Sequence, residues 1–226
     1  MQNVDTTSGA TQTASTNTNR VLKADIVNNK TGVPLSQYRT SYAKIAADTI
    51  ANRCQIAFDG SAFTLTLLGQ SITVSYPEGI ACFLSTAEIL DDEKTILLLR
   101  YLTEGAKATW SGTFIAYADM PWGETYLQQF SGRCISRLAA SYGNNLEEFS
   151  RCAKAIGGTE STSGDAAYDI PFMEDLVVRL IIWAADDEFP ASAQILFSDN
   201  FKTAFTAEDL AHVGDIILNA MKAANH

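Results

Sequence analysis

The sequence has few of the residues on which familiar catalytic sites depend. Only two histidines occur, His212 and His226, and the four cysteines are widely scattered, so no Cys-x-x-Cys pair is available for zinc or an iron–sulfur cluster. The glycine-rich phosphate loops, the nucleophile elbow Gly-x-Ser-x-Gly and the His-Glu-x-x-His zinc motif are also missing. The common nucleotide-dependent, Ser-His-Asp and zinc-protease classes are therefore not indicated, and no cofactor is predicted.

Basic residues and long apolar runs are also in short supply. Lys and Arg total 16 against 26 Asp and Glu, and the formal charge of −10 repels nucleic acid and acidic membrane surfaces. The apolar runs at 176–185 and 96–102 are interrupted by Arg179 and Arg100, far below the roughly 20 residues of a membrane span. With scattered cysteines that suit a reducing compartment, these features predict a soluble cytoplasmic protein that binds neither nucleic acid nor membrane.

The start of the chain differs in composition from the rest. Residues 1–20 are rich in Thr, Ser, Asn and Gln and contain no apolar run, so they cannot bury enough surface to offset chain entropy. We expect residues 1–33 to form a disordered polar tail and residues 34–226 to form a single domain. A hydrophobic content of 46% is typical of a chain with a real core.

Apolar spacing and end signals predict five helices, at about 36–53, 86–104, 124–141, 145–156 and from Thr206 onward. The second is expected to begin at a Ser85–Glu88 capping box and to end at Gly105, and the last to begin at a Thr206–Asp209 capping box. A short strand is expected within 110–123, and "GGTESTSGD" at 157–165 is expected to be a flexible connector.

Alternating apolar residues at 63–67 and 72–76, after "CQIAF" at 54–58, predict a three-stranded antiparallel meander. The β-branched segments at 166–170, 176–183 and 193–197 predict a further hairpin, which either forms a second sheet or extends the first. The predicted class is α+β, with an antiparallel β-meander and a C-terminal β-hairpin packed with about five helices.

Aromatic side chains concentrate around the loop "MPWG" at 120–123, which makes this region the first candidate site. Two or three of them are expected in the core, and the others can line a pocket or contact a partner. Arg133 follows as a candidate anchor for an anionic group, although an ordinary surface ion pair explains it equally well. The aromatic residues of the region are Trp110, Tyr117, Trp122, Tyr126 and Phe130.

The second candidate is the acidic stretch "WAADDEFPASAQILF" at 183–197. Clustered carboxylates suit calcium or magnesium, but the spacing of a calcium loop is missing and consecutive residues point to opposite sides. A solvated turn, a cation site and a contact with a partner protein therefore all stay open. In each case Pro190 stiffens the turn, which lowers the entropic cost of binding. The candidate residues are Trp183, Asp186, Asp187 and Glu188.

His212 belongs to a polar stripe on the predicted terminal helix. At 100° per residue, Glu208, His212, Asp215 and Asn219 share one face, opposite Leu210, Val213, Ile217 and Met221. This stripe is either the solvated face of an amphipathic helix or part of a metal site. The alternative metal ligands are Asp186, Glu188, His212 and Asp215.

Four segments together resemble domain of unknown function (DUF) family 3786. They are "ILLLRYL" at 96–102, "GTFIAYADMPWGETYLQQF" at 112–130, "LIIWAADDEFPASAQILF" at 180–197 and "TAEDLAHVGDIIL" at 206–218, and the resemblance extends over about residues 38–222. It implies no particular activity and an origin chiefly among anaerobic bacteria and archaea. Some similar proteins carry an added cysteine-rich segment of iron–sulfur type, which this chain lacks.

Aromatic concentration without catalytic motifs favours a non-catalytic intracellular domain that binds an unknown small molecule or protein. The contact would be made by the loop of 117–126, with the acidic turn of 186–189 nearby. The alternative is a divalent-metal-dependent hydrolase or transferase that uses the turn carboxylates and His212. A structural role in an assembly is the third hypothesis, and the sequence does not decide whether the protein is an enzyme.

Overall fold

The computed structural model describes residues 32–225, and these share one hydrophobic core that runs from Leu35 to Met221. Most of the predicted tail, residues 1–31, lies outside the described residues. Gly32 and Val33, which the prediction placed in the tail, belong to the first helix, α1 (Gly32–Tyr42).

The single helix predicted at 36–53 is wrong, because the chain turns between α1 and α2 (Ala47–Cys54). The break follows from contacts with a neighbouring sheet. The buried ring of Tyr42 meets Tyr76 edge-on, with the ring centroids 5.6 Å apart. Tyr76 also donates a hydrogen bond of 2.9 Å from its hydroxyl to the Ile45 carbonyl within the turn. Tertiary packing thus overrides a continuous helical pattern.

The predicted meander is confirmed and gains one strand. The inward side of β2 carries Phe63, Leu65 and Leu67, as the alternation predicted, while the residues between them face outward. The added strand, β4, pairs with β3 after the turn at Gly79. The four strands are β1 (Ala57–Phe58), β2 (Ala62–Leu67), β3 (Gln70–Ser75) and β4 (Ala81–Phe83), all antiparallel.

Helix α3 (Asp92–Glu104) begins later than predicted. Its N-cap is Asp91, whose Oδ1 accepts a 2.9 Å hydrogen bond from the Lys94 amide, and not Ser85. The residues before it stay extended because Ile89 bridges to Cys82 along the free edge of β4. The predicted end at Gly105 is confirmed.

A long helical segment follows the short strand β5 (Phe114–Ala116). It consists of α4 (Gly123–Phe130), a π-helical turn (Ser131–Ile135) and α5 (Ser136–Tyr142), with right-handed backbone angles across both junctions. This segment matches the helix predicted at 124–141. Helix α6 (Leu146–Ala155) is also confirmed, and its cap Asn145 accepts the Glu148 amide at 3.1 Å.

The later strands join the meander in one sheet, which resolves the open choice in favour of an extension. The sheet order is β4-β3-β2-β7-β8-β9-β5, with β1 on β2 and β6 on β7. The predicted flexible connector is wrong in part, because β6 lies within it and pairs with β7. The strands are β6 (Thr159–Ser161), β7 (Ala166–Met173), β8 (Leu176–Trp183) and β9 (Ser192–Ser198).

The chain closes with α7 (Phe201–Ala204) and α8 (Ala207–Ala223). The predicted cap of α8 is confirmed: the Asp209 carboxylate accepts the Thr206 amide at 3.0 Å and the Thr206 hydroxyl at 2.8 Å. The α+β class is confirmed, while two of the five predicted helices are divided and α7 is additional. Among the described residues, no helix combines the length and apolar character that a membrane crossing requires.

Candidate functional site

The aromatic loop leaves β5 through a 3-10 turn at Tyr117–Asp119 and then reverses at Pro121 and Trp122. The Gly123 amide donates to the Met120 carbonyl at 2.8 Å, which closes a four-residue turn. Trp122 has φ 66° and ψ 7°, the values of the third residue of a type II turn, with proline in its preferred second place. That third place favours glycine or asparagine, so a tryptophan here holds a strained backbone.

Tyr117 is part of the core and not of a ligand surface. Its ring stacks on Phe130 with centroids 4.0 Å apart, and its hydroxyl donates to the Ala207 carbonyl at 2.8 Å. Burial raises the pKa of Tyr117 to about 12, with smaller effects of Cys134 and Tyr126. Tyr117 therefore fixes the loop against α4 and α8.

Three apolar side chains at the start of α4 stay outside the core. Trp122 is 80% exposed, Tyr126 43% and Leu127 36%. Trp122 is the residue just before α4, and Tyr126 and Leu127 lie within its first two turns. We call Trp122, Tyr126 and Leu127 the aromatic face. The sequence analysis did not name Leu127 as a candidate, because an apolar residue at this position of the predicted helix is also compatible with the core.

Arg133 does not join the aromatic face. It lies on the π-helical turn, where its guanidinium forms an ion pair with the Asp215 carboxylate and approaches Glu93 at 3.5 Å. Such turns change the direction of side chains and are frequent at functional sites. Here the turn directs Arg133 toward α8 and α3, so its charge is already neutralised within the protein.

The polar stripe of α8 is covered in part by these neighbours. Asp215 is 9% exposed and accepts a second hydrogen bond of 3.2 Å from Arg137. His212 Nδ1 lies 2.8 Å from Glu93 Oε1, and this hydrogen bond with His212 is the largest of the effects that lower the pKa of Glu93. Asp215 is therefore not on a solvated face of α8, contrary to that interpretation of the stripe.

Glu93 and Arg137 were missed in the sequence analysis. Each lies on a different helix from His212 and Asp215, and helical spacing relates residues of one helix only. The sequence therefore contained no signal for this pairing. Arg137 also donates to Asn219 at 2.6 Å, so the stripe is a structural ion-pair network.

The acidic turn between β8 and β9 has a defined conformation. Asp186 Oδ1 accepts the amides of Glu188 at 2.9 Å and Phe189 at 2.7 Å, and these two bonds lower the pKa of Asp186. Asp187 and Glu188 are exposed, and so is Trp183 at the end of β8, at 39%. Within the described residues, none of the three carboxylates forms an ion pair.

The acidic turn and the aromatic face lie at opposite ends of one helical segment, contrary to the expectation that they are close. Trp122 occupies the position just before α4, whereas the Ala185 amide contacts the Gly143 carbonyl, just past α5, at 3.4 Å. The segment from Gly123 to Tyr142 is about 30 Å long at a rise of about 1.5 Å per residue. One small ligand cannot contact both surfaces.

The alternative metal ligands are not gathered either. In residues 32–225 no group of three or more His, Cys, Asp or Glu side chains is arranged to hold a metal ion. His212 and Asp215 are instead engaged with Glu93 and the two arginines, and Asp186 and Glu188 belong to the turn beyond α5.

Comparison with known proteins gives one result. A family model described as "Domain of unknown function (DUF3786)" matches residues 46–220, which is more than three quarters of the chain. No curated protein and no solved structure matches the chain. The match agrees with the resemblance seen in the sequence and adds no activity.

Proposed function

The chain belongs to the DUF3786 family, and we propose that it is a non-catalytic binding domain that contacts a partner protein through its aromatic face. The proposal is supported by the surface at the start of α4, where Trp122, Tyr126 and Leu127 are exposed. Aromatic side chains supply large contact area with few rotamers to lose, and Trp and Tyr are enriched among residues that dominate binding energy.

The observation that carries the proposal is the backbone of Trp122. A left-handed conformation costs a non-glycine residue roughly 1–2 kcal/mol, and the indole recovers little of this inside the fold because it is 80% exposed. Strained residues of this kind cluster at functional sites. The cost has an explanation if the indole is held outward for contact with a partner.

The shape of the surface favours a protein over a small molecule. Small ligands are bound in concave sites that enclose most of their surface, whereas Trp122 projects from a turn. Around it lie exposed polar residues, Thr125, Gln128 and Gln129. An apolar centre with a polar rim is the usual anatomy of a protein interface.

We also propose that the domain is cytoplasmic. All four cysteines are free thiols, and three of them are buried. Free buried cysteines are typical of proteins in a reducing compartment, where disulfides do not persist.

The experiment compares partner capture by four proteins: the wild type, Trp122→Gly, Trp122→Ala and Gln55→Gly. Gln55 is the matched control because it is exposed and also left-handed, with φ 52° at the end of α2. A glycine there relieves the same kind of strain without touching the aromatic face. Proteins captured from a lysate of the native host are quantified, and each is then produced and titrated against the four variants.

We expect a partner whose affinity falls at least about tenfold, or about 1.4 kcal/mol, in both Trp122 variants and stays unchanged in Gln55→Gly. The Trp122→Gly protein should lose binding although its fold is at least as stable as the wild type. Equal affinities for all four proteins, or a loss in Gln55→Gly as well, would contradict the proposal.

A further inference from the structure

One edge of strand β9 is only partly covered. On the side away from β8, strand β5 pairs with residues 196–198 of β9, ending at Ala116 opposite Leu196. The chain then leaves the sheet through the 3-10 turn at Tyr117–Asp119. Residues 192–195 therefore have no strand beside them on this side within the described structure.

Ala193 presents its backbone groups to this open edge. Its opposite residue on β8 is Ile182, whose carbonyl accepts the Asp165 amide at 3.0 Å on the far side of β8. In an antiparallel ladder the two groups of one residue point to the same side, so Ile182 and Ala193 do not bond each other. Asp199 is an even number of residues from Ala193, so its backbone groups point to the same side of the strand. Its amide donates to the Thr113 carbonyl on the β5 side at 3.1 Å, which confirms that the Ala193 groups point away from β8.

A groove of about 480 Å³ lies beside the open edge. Small side chains keep it open on both sides: Ala139 and Ala140 on α5, and Ala191 and Ala193 at the start of β9. Neighbouring strands lie about 4.8 Å apart, and an added strand would occupy this groove between β9 and α5. The remaining walls of the groove are formed by Ile135, Ser136, Asn144, Pro190 and Ser192.

The groove ends at the acidic turn. Asp187 and Glu188 come two to three residues before Pro190, and neither forms an ion pair with any described residue. The whole chain carries a formal charge of −10. Both the local and the overall charge favour a cationic occupant and repel an acidic one.

We propose that this edge of β9 binds an extended basic segment of a partner protein. The segment adds as an antiparallel strand, accepts a hydrogen bond from the Ala193 amide and donates one to the Ala193 carbonyl. Alternate side chains enter the groove against Ala139 and Ala140, and a Lys or Arg reaches Asp187 or Glu188. This surface lies at the other end of the helical segment from the aromatic face and does not depend on it.

A second copy of the chain fits the edge less well. Two copies carry the same net charge, which opposes their association. Antiparallel pairing of β9 with β9 around Ala193 would also bring residues 188–190 of one copy, just before β9, against residues 196–198 of the other, where β5 already lies. A separate, flexible and basic segment meets neither obstacle.

The test uses fluorescently labelled acetyl-Lys-Val-Lys-Val-Lys-amide as the probe, with two matched peptides. In one, glutamate replaces each lysine; in the other, the valine nitrogens are methylated, which removes backbone donors. The protein variants are Ala193→Pro, Ala140→Leu and the double variant Asp187→Asn/Glu188→Gln. Proline at 193 removes the outward amide but no bond of the β8 ladder, and Ala140→Leu fills the groove independently of the strand.

The charge control is Asp92→Asn/Glu104→Gln, which removes the same charge from exposed positions on α3. Of the three peptides, we expect only the unmethylated lysine peptide to bind. Its affinity should fall at least about fivefold in Ala193→Pro or Ala140→Leu, which is the effect of one lost hydrogen bond or contact. The turn variant, Asp187→Asn/Glu188→Gln, should lower the affinity at least about threefold, and the α3 control, Asp92→Asn/Glu104→Gln, should leave it unchanged. Hydrogen exchange at the Ala193 amide should slow when the peptide is bound.

Equal binding of the lysine and glutamate peptides would overturn the proposal. So would equal losses in the turn variant and in the α3 control, which indicates unspecific charge attraction. Unchanged peptide affinity in both Ala193→Pro and Ala140→Leu would also overturn it. So would a concentration-dependent dimer of the wild type that the peptide does not dissociate, because the edge would then bind a second copy of the chain.

Discussion

The Tyr117 carbonyl and Gly123 approach so closely that a Cβ on Gly123 would lie 2.0 Å from the carbonyl oxygen. The loop between them must therefore fold tightly, and it does so through the turn that places Trp122 at φ 66°. Because Tyr117 is anchored to Phe130 and Ala207, the loop cannot relax without disturbing the core. The position of Gly123 thus imposes the conformation of Trp122.

Replacing Trp122 with glycine should stabilise the protein. Glycine adopts positive φ without strain, so we expect a gain of about 1 kcal/mol, or about 2–4 °C in melting temperature for a chain of this size. Trp122→Ala keeps a Cβ and should give no gain. Thermal and urea unfolding of the two variants measure the difference.

Gln55→Gly should give a similar gain through the same mechanism at the end of α2. A loss of stability in Trp122→Gly with a gain in Gln55→Gly would mean that the indole makes contacts that stabilise the fold. In that case the strain at Trp122 would need no partner to explain it.

Asp209 combines two structural roles that one substitution should remove together. It caps α8 by accepting the Thr206 amide and hydroxyl, and its buried carboxylate forms an ion pair with the partly buried Arg100. Asp209→Ala leaves the partly buried guanidinium without its carboxylate, while its hydrogen bonds to Tyr38 and Thr206 remain. We therefore expect a loss of about 3 kcal/mol in unfolding free energy, the lower end for a broken buried pair. Asp209→Asn keeps an acceptor for the cap and should lose less.

Glu208→Ala is the control for Asp209, because Glu208 is the exposed neighbour on the same turn. Its effect should stay within about 0.5 kcal/mol. Urea unfolding measures the loss of unfolding free energy in each of the three variants. If Asp209→Ala loses no more than Glu208→Ala, neither the cap of α8 nor the ion pair with Arg100 stabilises the fold.

Local signals in the sequence predicted most of the elements, because caps and alternation act over a few residues. The Thr206–Asp209 and Asn145 caps and the Phe63, Leu65, Leu67 alternation are examples, and all three are confirmed. The break between α1 and α2 was not predictable in this way. It depends on Tyr76, which is more than twenty residues further along the chain and contacts the turn only in the folded protein.

The candidate sites show the same limit more sharply. Aromatic density located the loop around Trp122, but which ring is exposed depends on Gly123 and on the stacking of Tyr117 with Phe130. The Glu93–His212 contact and the open edge beside Ala193 join segments that are remote in sequence. A sequence pattern carries no information on such pairs unless the topology of the sheet and helices is known.

The four cysteines should differ in reactivity. Cys82 is the only one with partial exposure, while Cys54, Cys134 and Cys152 are buried. Burial raises the pKa of Cys134 to about 12 and also raises that of Cys54, and the reactive species is the thiolate. A disulfide reagent at pH 8 should modify one thiol quickly, and Cys82→Ser should abolish this fast phase. Rapid modification of two or more thiols in the Cys82→Ser protein would contradict the burial.

The contact between Glu93 and His212 should make stability depend on acid pH. The pKa of Glu93 is lowered below its ordinary value of 4.5 by the hydrogen bond with His212, and the charge of Arg133 adds to this against partial burial. A carboxyl group with a lowered folded-state pKa stabilises the fold fully above its unfolded-state pKa. This stabilisation is lost as the pH falls through the folded-state value.

Glu93→Gln should therefore be less stable than the wild type at pH 6, by under about 1 kcal/mol because the side chains of Glu93 and His212 are 34% and 41% exposed. The difference should shrink as the pH falls below 4.5, since the wild-type carboxyl group then becomes protonated and neutral like the amide. Urea unfolding between pH 3 and pH 6 measures this, with Glu104→Gln as a control that has no ion pair among the described residues. Because the Arg133 guanidinium lies 3.5 Å from the Glu93 carboxylate, 1 M salt should reduce the difference at pH 6. A difference between wild type and Glu93→Gln that is constant over the whole pH range would show that the Glu93 charge does not stabilise the fold.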